Sequence, residues 1–344
     1  MILPMIGLAA AVEVAWVGGG HGANPQWSPD GSWLAFEVNN NADKVDLYIV
    51  KVTNGNPGQP QKLVIPGGSS SFSATGSYAA NPNWHPKGPV IFEAANPGGL
   101  TRLYYLSPGG SSPAEYLNVS QAPGNLAWPS ISPDGAYLAF TSSASGAGDI
   151  YLFSQSANKV TLTFASVLPE NAPRFSSDSK SVVFSKKNQG TEDLFTWTVG
   201  TTVQTPLKGG NGDQSRPRYA GSEILYFTNE RGDGHWDIAA IPAAGGERRI
   251  VAKDIRLPLR SQPQITPDGT AIVYGSAAPA QDSFVYVTKL ADGTTKQIAT
   301  GGLTAVGDPS IVTAGGRTYL AFTALPTSGS DWRQMHVVDI TGQL

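Results

Sequence analysis

The sequence has no cysteine among its 344 residues, which excludes disulfides, thiolate metal sites and cysteine nucleophiles. Histidine is nearly as scarce. His21, His85, His235 and His336 are the only four, and none has the short-range spacing of a metal-binding pair. Charge is thin as well: 14% of residues are charged and the net charge is -3, so the chain as a whole is not built to coat nucleic acid or anionic lipid. Long apolar runs are missing. The opening Met1 to Val12 is apolar, but Glu13 ends it well short of the ~20 residues a membrane helix needs. The first basic residue is Lys44, so the basic start of a secretory signal is absent and the segment is expected to be folded structure. There is no Gly-x-Ser-x-Gly elbow and no phosphate-cradling glycine loop. Long helices have little room, because 40 glycines and 26 prolines punctuate the chain.

What is present is a repeat. Asn24-Pro25-Gln26-Trp27-Ser28-Pro29-Asp30-Gly31 returns as Asn81-Pro82-Asn83-Trp84-His85-Pro86, Trp128-Pro129-Ser130-Ile131-Ser132-Pro133-Asp134-Gly135, Ala172-Pro173-Arg174-Phe175, Arg216-Pro217-Arg218-Tyr219, Gln262-Pro263-Gln264-Ile265-Thr266-Pro267-Asp268-Gly269 and Asp308-Pro309-Ser310-Ile311. The anchoring prolines are 57, 47, 44, 44, 46 and 46 residues apart, close to the period of propeller blades. Inside each unit the apolar period is two, the signature of strands. A first strand follows each anchor proline, and Ser-Pro-Asp-Gly suits the turn after it: proline presets the second position, aspartate caps locally and glycine accepts the left-handed conformation. A second strand runs through Leu34-Ala35-Phe36 and its copies, a third through Asp46-Leu47-Tyr48 and its copies, and a fourth, less apolar, follows.

Four strands make a blade. The expected fold is all-β: a single seven-bladed β-propeller domain of four-stranded antiparallel blades over residues 1–344. The blades fall at about 24–66, 81–119, 128–163, 172–207, 216–251, 262–299 and 308–340. The last unit has only three strands, while residues 11–17 precede the first unit without a blade of their own. These residues are expected to pair onto the last blade as a closing strand and cover its open edge.

These motifs resemble the TolB-type propeller repeat, whose unit reads roughly Asn-Pro-x-Trp-Ser-Pro-Asp-Gly, then Leu-Ala-Phe, then Asp-Ile-Tyr. The likeness covers nearly the whole chain and is weakest in the fifth unit, where Tyr219-Ala220-Gly221-Ser222 replaces the proline turn. TolB carries six blades and an additional N-terminal α/β domain for which this chain has no room, so the resemblance is to the repeat. It implies a non-enzymatic, periplasmic or secreted scaffold that binds a protein or peptide at the channel mouth. The ring of residues at that mouth would then be Asn24, Asn81, Trp128, Ala172, Arg216, Gln262 and Asp308. The polar residues after the prolines, among them Arg174 and Arg218, would line the channel below. A plainer alternative is that they only satisfy strand ends.

Charge is uneven along the chain. Residues 172–261 hold 13 of the 23 Lys and Arg and 10 of the 26 acids, a basic side on an otherwise acidic chain. Arg174, Arg216 and Arg218 at the channel, with Lys186, Lys187, Arg231, Lys253, Arg256 and Arg260 above it, suggest a partner bearing an anionic group, since arginine holds carboxylate or phosphate bidentately. A solvated face paired with Glu192, Asp193, Glu230 and Asp233 is the bland alternative. The Ser/Gly-rich stretch Gly67 to Ala80 carries Phe72 and Tyr78, either as aromatic anchors or as a simple insertion. The repeated Asp46, Asp149, Asp193 and Asp237 read as turn caps.

Neither a cofactor nor a metal is implied, and no nucleic-acid partner or membrane insertion. Similar repeats occur in the propellers of prolyl-oligopeptidase-like enzymes and in oligogalacturonate lyases. The first would need a hydrolase domain, and the second a histidine-built metal site that four scattered histidines do not suggest. The competing expectation is therefore a carbohydrate-active enzyme or polysaccharide binder at the channel mouth. A divalent-ion site in the channel would mark it.

Overall fold

A computed structural model describes residues 10–16, 19–41, 44–67, 78–163, 166–188, 190–256, 264–277, 283–326 and 331–344. Among these residues there is no helix, and the strands group by repeat unit into antiparallel sheets. The third unit is typical. Leu126–Ile131, Tyr137–Ser142, Asp149–Ser154 and Lys159–Leu162 pair in chain order. The fourth, fifth and sixth units form four-stranded sheets in the same way. The first two units share one larger sheet through a single parallel bridge between Val45 and Tyr78. In the last, Thr304–Ala314, Arg317–Leu325 and Gln334–Asp339 are joined on the outside by Val12–Val14, with Val12 opposite Val337 and Val14 opposite Met335. The paired N-terminal strand is thus shorter than the expected 11–17, and Val17 lies outside the described residues.

The local chemistry of the turns is repeated as closely as their sequence. In Ser28-Pro29-Asp30-Gly31 the serine hydroxyl donates to Asp30 at 2.6 Å and accepts the Trp33 amide at 2.9 Å. Asp30 in turn accepts the Ser32 amide at 3.1 Å. Ser132 with Asp134, Ser176 with Asp178 and Thr266 with Asp268 repeat the hydroxyl–carboxylate link, each at 2.6 Å. Gly31, Gly135 and Gly269 hold φ of 70, 73 and 72°, the left-handed value that a side chain resists. The fourth unit places Ser179 there, at 63°.

Packing follows from the strand alternation. In five units the aromatic of the second strand lies directly opposite a ring in the third, as Phe36 on Tyr48, Phe92 on Tyr104, Phe140 on Tyr151, Phe184 on Phe195 and Tyr274 on Tyr286, whereas Phe227 of the fifth faces Ile238. In the last unit His336 takes the ring position against Phe322, 5.5 Å away. Cores form between neighbouring units. Trp27, Leu34 and Phe36 of the first unit pack with Val312, Tyr319 and Ala321 of the last and with Val14. The indole nitrogen of Trp27 donates to the Ser310 carbonyl at 3.1 Å, and that of Trp84 to the Gln26 carbonyl at 2.8 Å. Each tryptophan therefore ties its unit to the preceding one around the ring, and Trp27 does so between first and last.

Candidate functional site

The first strands begin earlier than their prolines suggest, at His21, Tyr78, Leu126, Glu170, Gln214 and Thr304. A proline gives no N–H to a ladder and was read as the strand's edge. Instead, a bulge carries the strand through it. Asn24, Asn81, Trp128, Ala172, Arg216 and Asp308, each just before an anchor proline, have φ of 46, 52, 54, 50, 53 and 45°. At each one the pairing register shifts, so the left-handed residue and the proline drop out of the ladder together. Pairing resumes at the polar residue after the proline. Gln262 and Pro263, the sixth copy, lie outside the described residues.

The bulge turns backbone N–H groups away from the ladder, and on one arc of the ring buried carboxylates receive them. The Asn81 amide donates to Glu37 at 2.8 Å and the Trp128 amide to Glu93 at 2.6 Å. The Asn24 backbone amide bonds the Asp308 carboxylate. Glu37 also accepts the Asn24 side-chain amide at 2.8 Å, and Glu93 accepts the Tyr78 hydroxyl. Glu37, Glu93 and Asp308 are buried. Burial pushes the Glu93 carboxyl up to about 7, against its donors Tyr78, Trp128 and Asn81. Burial also pushes Asp308 up to about 7, although Arg333 and Arg216 pull the other way.

These strands enclose a cavity of about 170 Å³ at the channel. Five of the residues singled out from sequence meet there: Asn24, Asn81, Trp128, Arg174 and Arg218. Gln26, Asn83 and Gln264, which follow their prolines as Arg174 and Arg218 do, complete the polar wall. Arg216 and Asp308 do not line it. Arg216 lies over the Phe227 ring, 6.0 Å from its centroid, and interacts with Asp308 and Glu192. Burial lowers the Arg216 pKa, while those two acids support its charge. Burial alone pushes Arg174 down to about 10, which still leaves it charged near neutral pH. Among the described residues its hydrogen bond goes to its own Pro173 carbonyl, at 2.8 Å.

The rest of the supposed basic face divides. Arg231 pairs with Asp233 at 3.2 Å, as the bland alternative held, while Lys186 pairs at 3.4 Å with the buried Glu170, an acid outside that reading. Lys187 and Lys253 are exposed, Arg256 is partly buried, and Arg260 lies outside the described residues. Tyr78 belongs to a first strand and binds Glu93 instead of reaching toward a partner, while Phe72 lies outside the described residues. The repeated aspartates brace strands more than they cap turns: Asp46 pairs with Lys62 at 2.9 Å, and Asp149 accepts the Ser166 amide at 2.9 Å. None of the four histidines lines the channel cavity. Among the described residues no group of three or more His, Asp or Glu is placed to hold a metal ion.

Glu37 and Glu93 were not anticipated. Their one signal is an acid directly after the apolar triplets Leu34-Ala35-Phe36 and Val90-Ile91-Phe92, where other units carry serine, threonine or glycine. A second cavity, of about 440 Å³, lies away from the channel between the second and third units, walled by Tyr105, Tyr116 and Leu117.

Repeated antiparallel sheets around a polar channel define an all-β propeller. The fold is similar to that of TolB from Acinetobacter baumannii, with a TM-score of 0.54 and 17% identity over 94% of this chain. The chain spans 64% of that TolB's length. A puromycin-hydrolyzing peptidase from Mycobacterium tuberculosis is similar with a TM-score of 0.68 and 14% identity, over 98% of this chain and 55% of the peptidase. Oligogalacturonate lyase from Vibrio parahaemolyticus is similar over 99% of this chain and 96% of its own, with a TM-score of 0.64 and 10% identity. At these identities the likeness is one of fold, TolB-like in its repeat. No family profile matches the sequence, and no curated protein matches it.

Proposed function

We propose that the chain is a non-enzymatic propeller scaffold that binds a protein or peptide bearing an anionic group at the channel mouth, outside the cytoplasm. The observation that carries this reading is the wall of the channel cavity. Arg174 and Arg218 come from successive units to face a set of neutral amides, and among the described residues no carboxylate lines the cavity. A guanidinium so enclosed gains more from an anionic ligand than one in water does. The TolB likeness supports the scaffold reading and the location. A pull-down from native extract tests it, with the Arg174→Gln/Arg218→Gln double variant as control. A partner captured by wild type and lost in the variant is expected. Equal capture by both overturns the reading. Arg216 is kept out of the double variant because it supports Asp308.

The carbohydrate reading draws on the full-length likeness to a lyase of oligogalacturonate, a polymer that also bears carboxylates. It requires a polymer to cross the mouth, so galacturonate oligomers should compete with the captured partner if it holds.

A further inference from the structure

We infer that the channel cavity captures one free carboxylate at the C-terminal end of a peptide, with Arg174 and Arg218 as its cationic wall. This rests on the proposed binding role and names the group that enters. The two arginines are placed by the same device. In the fourth and fifth units the bulges at Ala172 and Arg216 shift the register, so that Arg174 and Arg218 resume the strand at the channel. Arg174 spends one of its five N–H donors on Pro173. The remaining planar fork matches two carboxylate oxygens.

The opposite wall suits the main chain of a peptide. Asn24, Gln26, Asn81, Asn83 and Gln264 bring neutral amides that both donate and accept. No acid among the described residues bears on Arg174, while Glu37 and Glu93 receive amide and hydroxyl donors of the scaffold itself. Asn24 is fixed further: its Nδ2 is bound to Glu37 and its Oδ1 accepts from Gln26 at 3.1 Å. The wall is therefore held before any ligand arrives.

Size selects the end of a chain. A cavity of about 170 Å³ is small beside the roughly 300–1,000 Å³ of pockets that bury a drug-sized ligand, and suits a terminal residue with its carboxylate and one peptide bond. A chain passing through needs room on both sides.

The test uses N-acetylglycine, which has one peptide bond and one carboxylate, titrated into the full chain at pH 7 and low salt by calorimetry or NMR. A dissociation constant of about 1 mM is the scale for so few atoms. N-acetylglycinamide, which lacks the charge, should bind at least tenfold more weakly, and N-acetylaspartic acid α-amide, with its only carboxylate on the side chain, should also fall tenfold. Arg174→Gln should lose tenfold or more. Gln264→Glu, which leaves both arginines in place and adds a competing carboxylate, should do the same should the first variant fold poorly. Equal binding of the amide, equal or tighter binding of the side-chain probe, or unchanged affinity in either folded variant overturns the inference. Absence of N-acetylglycine binding overturns it too, and leaves the scaffold proposal to its pull-down.

Discussion

Replacing Glu93 by glutamine should flatten the dependence of stability on pH. Glu93 is 3% exposed, and burial raises its carboxyl from an ordinary 4.5 to about 7. In the unfolded chain it returns to the ordinary value. Between those two values the folded protein holds a proton that the unfolded chain has released. Stability therefore falls as pH rises through this window: the contribution is fully present below the unfolded value and lost above about 7. Some 2.5 units at 1.36 kcal/mol each is about 3 kcal/mol. With an unfolding entropy of about 2.1 cal/mol/K per residue, 344 residues give about 0.7 kcal/mol/K. The expected fall in melting temperature from this one group is thus about 4 °C.

Glutamine keeps the acceptor for the Trp128 amide and can donate to the Tyr78 hydroxyl, so it replaces the protonated acid without a charge to bury. Thermal unfolding followed by circular dichroism at pH 5.0 and 8.5, at one ionic strength, measures the effect. The difference in melting temperature between the two pH values should shrink by about 4 °C in Glu93→Gln, on the worked scale. Asp308, also raised to about 7, acts in the same direction, so Asp308→Asn should shrink it again. An unchanged pH difference in Glu93→Gln would show that the proton is held elsewhere and refute the reasoning.

Trp27→Phe removes an indole donor from the Ser310 carbonyl across the junction of first and last units; a cost of about 1–3 kcal/mol is expected in urea unfolding, for a buried acceptor left unpaired. Deleting residues 1–14 strips the strand that pairs with Gln334–Asp339 and the buried Val14. Stability should fall by several kcal/mol and light scattering should rise, because an edge is uncovered; an unchanged melting temperature would count against the paired strand. At Ser179 glycine should relieve about 1 kcal/mol of left-handed strain but lose the bond from the Asp134 amide at 3.1 Å. Ser179→Ala loses that bond and keeps the strain, so it should melt below Ser179→Gly.

The repeat was legible because it is written in local chemistry. Alternation in segments such as Leu34-Ala35-Phe36 and the Ser-Pro-Asp-Gly turns depend on neighbours in sequence, and the structure uses them at those positions. The short fourth strands are less legible: that of the second unit is only Ala114–Glu115, short of the expected blade end at 119, since exposed edge strands carry little apolar pattern. The buried acids were hidden for a different reason. Glu37 follows Phe36 as any outward polar residue in a strand would, and what buries it is the next unit, which brings the Asn81 amide from 44 residues away. The same limit explains the mixed outcome for the site. Proline marked where each bulge falls but not that the strand continues through it, so five candidates meet at the cavity while Arg216 and Asp308 interact electrostatically outside its lining. Arg174 and Arg216 lie two residues apart in repeat position, on either side of their prolines, and that offset decides which arginine faces the channel. A basic residue after the anchor proline is therefore the more direct mark of a channel-facing charge than one before it.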